Sequence, residues 1–204
     1  MTDSNAATLV LVRHGEIAAN AARIWHGSTD SELTDLGHEQ AGRTALHLSQ
    51  RRPQPVALYT SPLSRTRATA ARIGEHLGLD PRIEPGLAEY GIGELEGESY
   101  ADLARVHRFF ERIASDPGFA PPGGESPRQL IARVGDALRR IALAHRGEQV
   151  VVVSHGAALG FTLGSLLDGD TNQWQRYHLA NCAVSELVLE PAPRLLSWNR
   201  TEHL

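Results

Sequence analysis

Two histidine-glycine turns stand at matching places in this 204-residue chain. Val12 runs into Arg13-His14-Gly15-Glu16, and Val153 runs into Ser154-His155-Gly156, each directly after an aliphatic run of strand length. A third run, Val56-Ala57-Leu58-Tyr59, leads into Ser61-Pro62-Leu63-Ser64-Arg65. Open α/β sheets gather their ligands at the carboxyl ends of parallel strands. Three such ends would aim two imidazoles and two guanidiniums, those of Arg13 and Arg65, at one region. Pro62 suits the first position of a helix, whose N-terminus would present free amides to an anion. A nucleophile, neutralised charge and a proton for the leaving group are what phosphoryl transfer requires.

The elements that must position these groups follow from hydrophobic periodicity. Thr8-Leu9-Val10-Leu11-Val12 and Gln149-Val150-Val151-Val152-Val153 read as strands buried on both faces, and the weaker run 56–59 as a third. All three are expected at the centre of the sheet. Amphipathic helices alternate with them, the pattern of a parallel α/β fold. Ser126-Pro127-Arg128-Gln129 supplies an N-cap, a first-turn proline and the glutamine of a capping box, and Leu130, Val134, Leu138 and Ile141 follow at helical spacing. A helix over 61–77 puts Leu63, Ala70, Ile73 and Leu77 on one face and leaves Arg65 and Thr69 on another, free to face a ligand. Residues 91–125 read as a partly helical insertion, with a helix near 100–113 and a Gly/Pro-rich loop over 116–124, covering a sheet edge.

Composition narrows the function classes. The chain is 41% hydrophobic and 22% charged, with a mean hydropathy of -0.27, and its length suits one domain over 1–204. No apolar run reaches membrane-spanning length, and Met1-Thr2-Asp3-Ser4-Asn5 carries no export signal, so the expected location is the cytoplasm. All 20 basic residues are arginine, which removes lysine Schiff bases, pyridoxal-phosphate lysines and Walker-type phosphate loops. A net charge of -4 and no basic run beyond pairs such as Arg51-Arg52 and Arg139-Arg140 argue against nucleic acid. A phosphate site should then be a pocket. Cys182 is the sole cysteine, so disulfides within the chain and cysteine zinc cages are excluded. With Val188 six residues on, it also fails as a phosphatase cysteine needing arginine there. Asp168-Gly169-Asp170-Thr171 reads as a turn, Trp25, Trp174 and Trp198 as packing groups, and His38, His47, His76, His107, His145 and His203 as surface or helix positions.

Several motifs occur in one order: Leu11-Val12-Arg13-His14-Gly15-Glu16, Leu33-Thr34-Asp35-Leu36-Gly37, Ser61-Pro62-Leu63-Ser64-Arg65-Thr66-Arg67-Ala68-Thr69-Ala70, Leu87-Ala88-Glu89 with Gly93 and Glu96-Gly97, Gly123-Gly124-Glu125-Ser126, and Val153-Ser154-His155-Gly156. Together they resemble the histidine phosphatase superfamily, also called phosphoglycerate-mutase-like, over about residues 8–160. The tail matches more loosely. The resemblance implies a three-layer α/β/α fold with a mostly parallel central sheet, and a histidine acid phosphatase-type phosphoric monoester hydrolase. It makes His14 the nucleophile that forms a phosphohistidine. Its attacking nitrogen must be unprotonated, so the other ring N–H needs an acceptor, which the sequence does not name.

By the same resemblance Arg13, Arg65 and His155 bind phosphoryl oxygens, with a charged His155 favoured by the dianion. Asn20 and the Gly15 amide add hydrogen bonds, and His26, Gly27 and Gly156 belong to the substrate site. Glu89 is the general acid and then the base, a role that burial or a neighbouring phosphate would support. Glu84, Glu94, Glu96 and Glu98 lie nearby, and the Leu-x-Glu context selects Glu89. His26 stands where many relatives carry Gln, as a substrate contact or a loop residue, and Leu95 stands where many carry Trp. No metal and no cofactor are implied. The partner is a small-molecule phosphate ester, with no nucleic acid or membrane, and a homodimer is one option for assembly. Mutases of the family are typically longer and use a substrate-contacting lysine, which favours the phosphatase over a mutase-type phosphotransferase. A non-catalytic phospholigand-binding module would usually have lost one of these groups.

Overall fold

The computed structural model describes residues 5–204. Residues 1–4, part of the stretch in which no export signal is read, lie outside the described residues. In chain order the elements are β1 (Thr8–Arg13), α1 (Ala18–Ala22), α2 (Asp35–Ser49), β2 (Ala57–Thr60), α3 (Ser64–Leu77), β3 (Arg82–Ile83), α4 (Tyr100–Arg105), α5 (Phe109–Ser115), α6 (Pro127–Ala144), β4 (Gln149–Ser154), α7 (Gly156–Asp168), β5 (Val184–Val188) and β6 (Arg194–Arg200). The strands form one sheet in the order β3-β2-β4-β1-β5-β6. The three aliphatic runs, β2, β4 and β1, are adjacent and parallel, as expected. β3 extends the parallel part, and β5 and β6 add an antiparallel side.

The two-sided burial of β1 and β4 builds the layers. Leu9, Leu11, Val150 and Val152 pack with Leu130, Val134 and Leu138 of α6 and Leu159 and Leu163 of α7. The alternate residues, Val10, Val12, Val151 and Val153, pack with Ala45 and Leu48 of α2 and Ala70 and Ile73 of α3. Successive strand side chains point to opposite faces, so continuous aliphatic runs demand a helical layer on each side. The result is the three-layer α/β/α architecture with a mostly parallel sheet. Register then sets the chemistry: Arg13 lies opposite Ser154, so His14 and His155 leave the sheet at the same level.

Local expectations fare unevenly. The Ser126–Gln129 capping box opens α6, and Gly169, at φ 68, ends α7 before Asp170 caps the next turn. The helix expected from residue 61 starts at Ser64, because Ser61 N still donates to Val153 O at 3.1 Å and Leu63 remains extended. Pro62 therefore precedes the helix rather than opening it. Residues 100–113 form α4 and α5 instead of one helix, broken where Arg108 takes a left-handed φ of 48°. This stretch does not cover the sheet edge at β3, whose residues are exposed. Its Leu103, Phe109 and Ile113 join the cluster of Trp25, Tyr90 and Phe161. Among the described residues no helix is long and apolar enough to cross a membrane.

Candidate active site

A cavity of about 470 Å³ is lined by Arg13, His14, Glu89 and Gly156, brought from three separate strand-to-turn connections, and by Asn20 and His26. The imidazoles of His14 and His155 lie 5.2 Å apart at 61°. His14 Nδ1 is 2.7 Å from the Gly15 carbonyl. A carbonyl can only accept, so Nδ1 carries the proton and Nε2 keeps its lone pair. Burial, together with the Arg13 and Arg65 charges, pushes the His14 pKa well below the usual imidazole value, with the Gly15 bond pulling weakly the other way. The ring is a neutral nitrogen base with its free atom fixed by its own backbone.

Arg65 and His155 are fully buried. Arg65 Nε donates to His155 Nδ1 at 3.2 Å, so His155 Nε2 carries the proton and donates to Ser61 Oγ at 2.7 Å. Burial first, then Arg65, His14, Arg13 and Arg133, hold the His155 pKa well below normal. With these neighbours His155 is a neutral ring, and the charged form expected from the sequence is the one a bound phosphate dianion would favour. Arg65 is likewise not turned to the open cavity: it donates to the carbonyls of Thr29 (2.9 Å), His26 (3.2 Å) and Gly27 (2.8 Å). Those carbonyls belong to the turn after α1, which no local pattern in the sequence placed beside α3. The anion expected at the N-terminus of α3 is internal as well. Asp30 accepts from Ser64 N at 2.8 Å and Ser64 Oγ at 2.7 Å.

Glu89 reaches the N-terminus of α7. Its Oε1 accepts from Tyr90 N at 2.8 Å and Ala158 N at 2.7 Å, and its Oε2 from Ala157 N at 3.2 Å. A carboxylate has about four acceptor directions, so one remains, on Oε2. Arg13 donates through Nη1 to the Leu179 carbonyl at 2.6 Å, while its buried Nε has no partner among the described residues. Gly156 lies flat against this guanidinium: a Cβ there would stand 3.3 Å from Arg13 Nε. Asn20 Oδ1 accepts from Ile17 N (3.3 Å) and Asn181 Nδ2 (3.0 Å), which leaves its amide nitrogen as the donor for the cavity.

Two other site residues act differently from expectation. The Gly15 amide donates to Thr69 Oγ1 at 3.1 Å, so it is spent inside the protein. Gly27 is a close-approach residue: a Cβ would fall 2.2 Å from the Tyr90 carbonyl. His26 does line the cavity, with Nδ1 2.7 Å from Ser31 Oγ. Glu96 anchors this turn, accepting from Ser28 N and Thr29 N at 2.7 and 2.6 Å and from both hydroxyls. Sequence reasoning missed Arg23, Tyr100, Gln175, His178 and Asn181, which also line the cavity, as do Trp25 and Trp174. The two tryptophans therefore pack and also face the cavity. No motif spacing links these residues to His14, and only the return of the tail beside β1 brings the last three in.

A family model of the histidine phosphatase superfamily (branch 1) matches residues 9–201. The chain belongs to this superfamily. Among superfamily relatives, it is 38% identical to the metal-independent phosphoserine phosphatase of Arabidopsis thaliana over 99% of this chain and 85% of that one. It is 35% identical to the probable phosphoglycerate mutase GpmB of Photorhabdus laumondii over 92% of this chain and 87% of that one. The solved phosphoserine phosphatase of Entamoeba histolytica in complex with 3-phosphoglyceric acid superposes with a TM-score of 0.86 at 26% identity, over 97% and 99% of the two chains. These relatives support phosphatase activity, that of a phosphoric monoester hydrolase.

Proposed function

We propose that this histidine phosphatase is a metal-independent phosphomonoesterase that hydrolyses a small phosphorylated metabolite through a phosphohistidine on His14. One observation carries the reading: His14 Nδ1 is held on the Gly15 carbonyl, leaving a neutral Nε2 as nucleophile at the cavity wall. A phosphate ester in the cavity takes hydrogen bonds from the guanidinium of Arg13 and from Asn20, both of which line it. Nε2 attacks phosphorus while the bond to the leaving oxygen breaks, and Glu89 Oε2 gives that oxygen its proton. Water then attacks the phosphohistidine, Glu89 takes a proton from it, and inorganic phosphate leaves with His14 restored. A positioned acid and base of this kind is worth about 10²–10⁴-fold.

Arg65 and His155 stand behind His14 and supply positive charge and a fixed neighbour. Direct contact of His155 with a phosphoryl oxygen requires its Nε2 bond to Ser61 Oγ to be exchanged for one to phosphate, and that of Arg65 requires one of its bonds to the 26–29 turn to be given up. His26, at the wall of the cavity, faces the leaving group. A second reading, phosphoryl transfer between positions of a phosphorylated acid, rests on the likeness to the probable mutase, which is of similar length. The absence of lysine still favours hydrolysis. The test is hydrolysis of an aryl phosphate in excess chelator, wild type beside His14→Ala. Hydrolysis that survives chelation and is lost in the variant supports the reading; hydrolysis that persists in the variant overturns it. A requirement for a bisphosphorylated primer would support the mutase.

A further inference from the structure

The guanidinium of Arg133, on α6, spends every N–H it has. Nη1 donates to the carbonyls of Gly86 and Ala88, both at 3.0 Å. Nη2 donates to the Glu89 carbonyl at 3.2 Å and to Glu125 Oε1 at 2.5 Å, and Nε donates to Glu125 Oε2 at 3.2 Å. Glu125 closes the bracket from its own backbone, its N–H donating to the Gly91 carbonyl at 2.9 Å, and its Oε1 accepts from Gly91 N at 3.4 Å. One planar group thus ties down carbonyls on both sides of the Glu89 Cα. On the other side of the same residue, the carboxylate is tied to the first turn of α7. Glu89 itself lies in an irregular turn between a short 3₁₀ turn (Pro85–Leu87) and the 91–125 stretch, with no helix or strand of its own to hold it.

We infer that Arg133, paired with Glu125, is the positioning residue of the proton donor: it fixes the backbone of Glu89 so that Oε2 meets the leaving oxygen. The inference rests on the reading of Glu89 as acid given above. The five-donor planar fork matters, because a lysine ammonium offers three donors from one point and cannot span three carbonyls and a carboxylate at once. Arg133 does not line the cavity, and its hydrogen bonds reach the site through the backbone of Glu89 and through Glu125, while its charge is also felt at His155.

The consequence is a dependence on the leaving group. Departure of an alkoxide needs the proton from Glu89; departure of a dinitrophenolate does not. The experiment compares kcat/KM, which ends at the departure of the alcohol, for an alkyl phosphate and for dinitrophenyl phosphate in wild type, Arg133→Lys, Glu125→Gln and Glu89→Gln. Arg133→Lys is expected to lose at least about tenfold on the alkyl ester, a part of the 10²–10⁴ that a positioned acid supplies, and less than about twofold on the dinitrophenyl ester. Glu125→Gln, which keeps the packing volume, is expected to show the same selectivity more weakly and serves if Arg133→Lys does not fold. Equal losses on both esters would mean a merely structural arginine, and no loss on either would mean no role; both overturn the inference. If Glu89→Gln is selective and the Arg133 and Glu125 variants are not, the positioning role alone falls. If Glu89→Gln itself shows no selectivity, the acid assignment falls with it.

Discussion

His14 is uncharged because it is buried between two arginines, and its proton sits on Nδ1 because the nearest acceptor is the carbonyl one residue on. This arrangement has a thermodynamic signature. The pKa values of His14 and His155 are both depressed by burial and neighbouring positive charge, so between their folded values and the unfolded value of about 6.5 the unfolded chain binds more protons. Stability is then full above about pH 6.5 and falls as pH drops below it, by up to about 1.4 kcal/mol per pH unit for each histidine. Urea unfolding at pH 7 and pH 5 should show this loss, and the slope should shrink in His155→Asn. Gly156→Ala tests the opposite wall. Its methyl group would press on Arg13 Nε and Cζ from 3.3 and 3.4 Å, and the displaced guanidinium should lower kcat/KM about tenfold, since misplacements near 1 Å cost up to about 10²-fold. The urea midpoint should barely change.

Strand ends and helix starts convert these residues into a site, and they differ in how well they can be read. The capping box of α6 is local, so Ser126→Ala should cost about 1 kcal/mol in urea unfolding with an unchanged m-value. Local chemistry of this kind was legible, as were β1, β2 and β4, because an aliphatic run buried on both faces has few alternatives. The pairing of His14 with His155 followed from two like strand-to-turn junctions. The start of α3 is not legible locally, because Ser61 stays bonded to the sheet through Val153, a contact 92 residues away that Pro62 does not reveal. The bonds of Arg65 to the turn of His26 and Thr29 have no local signal, because the approach of that turn depends on Glu96 and Asp30 holding it there. Single residues at φ > 0, such as Arg108, break helices where propensity alone would continue them.

The whole molecule closes the site from its two ends. β5 pairs antiparallel with β1, so the loop before it returns beside His14: Asn181 Nδ2 donates to the His14 carbonyl at 3.0 Å, and Cys182 N to the Arg13 carbonyl at 3.0 Å. Cys182 is buried in that seam, and burial drives its thiol pKa up to about 12 against the smaller effects of Thr44 and Arg13. A disulfide reagent should find no thiol in the native protein and one per chain after unfolding, timed by absorbance. The central claim is the covalent step at His14 Nε2. The measurement that tests it most directly is rapid quenching of enzyme mixed with radiolabelled aryl phosphate, followed by peptide mapping. The expected result is a label stable in alkali and lost in acid, on the peptide holding His14 and absent in His14→Ala. Turnover with no label on His14, and inversion at phosphorus, would contradict it.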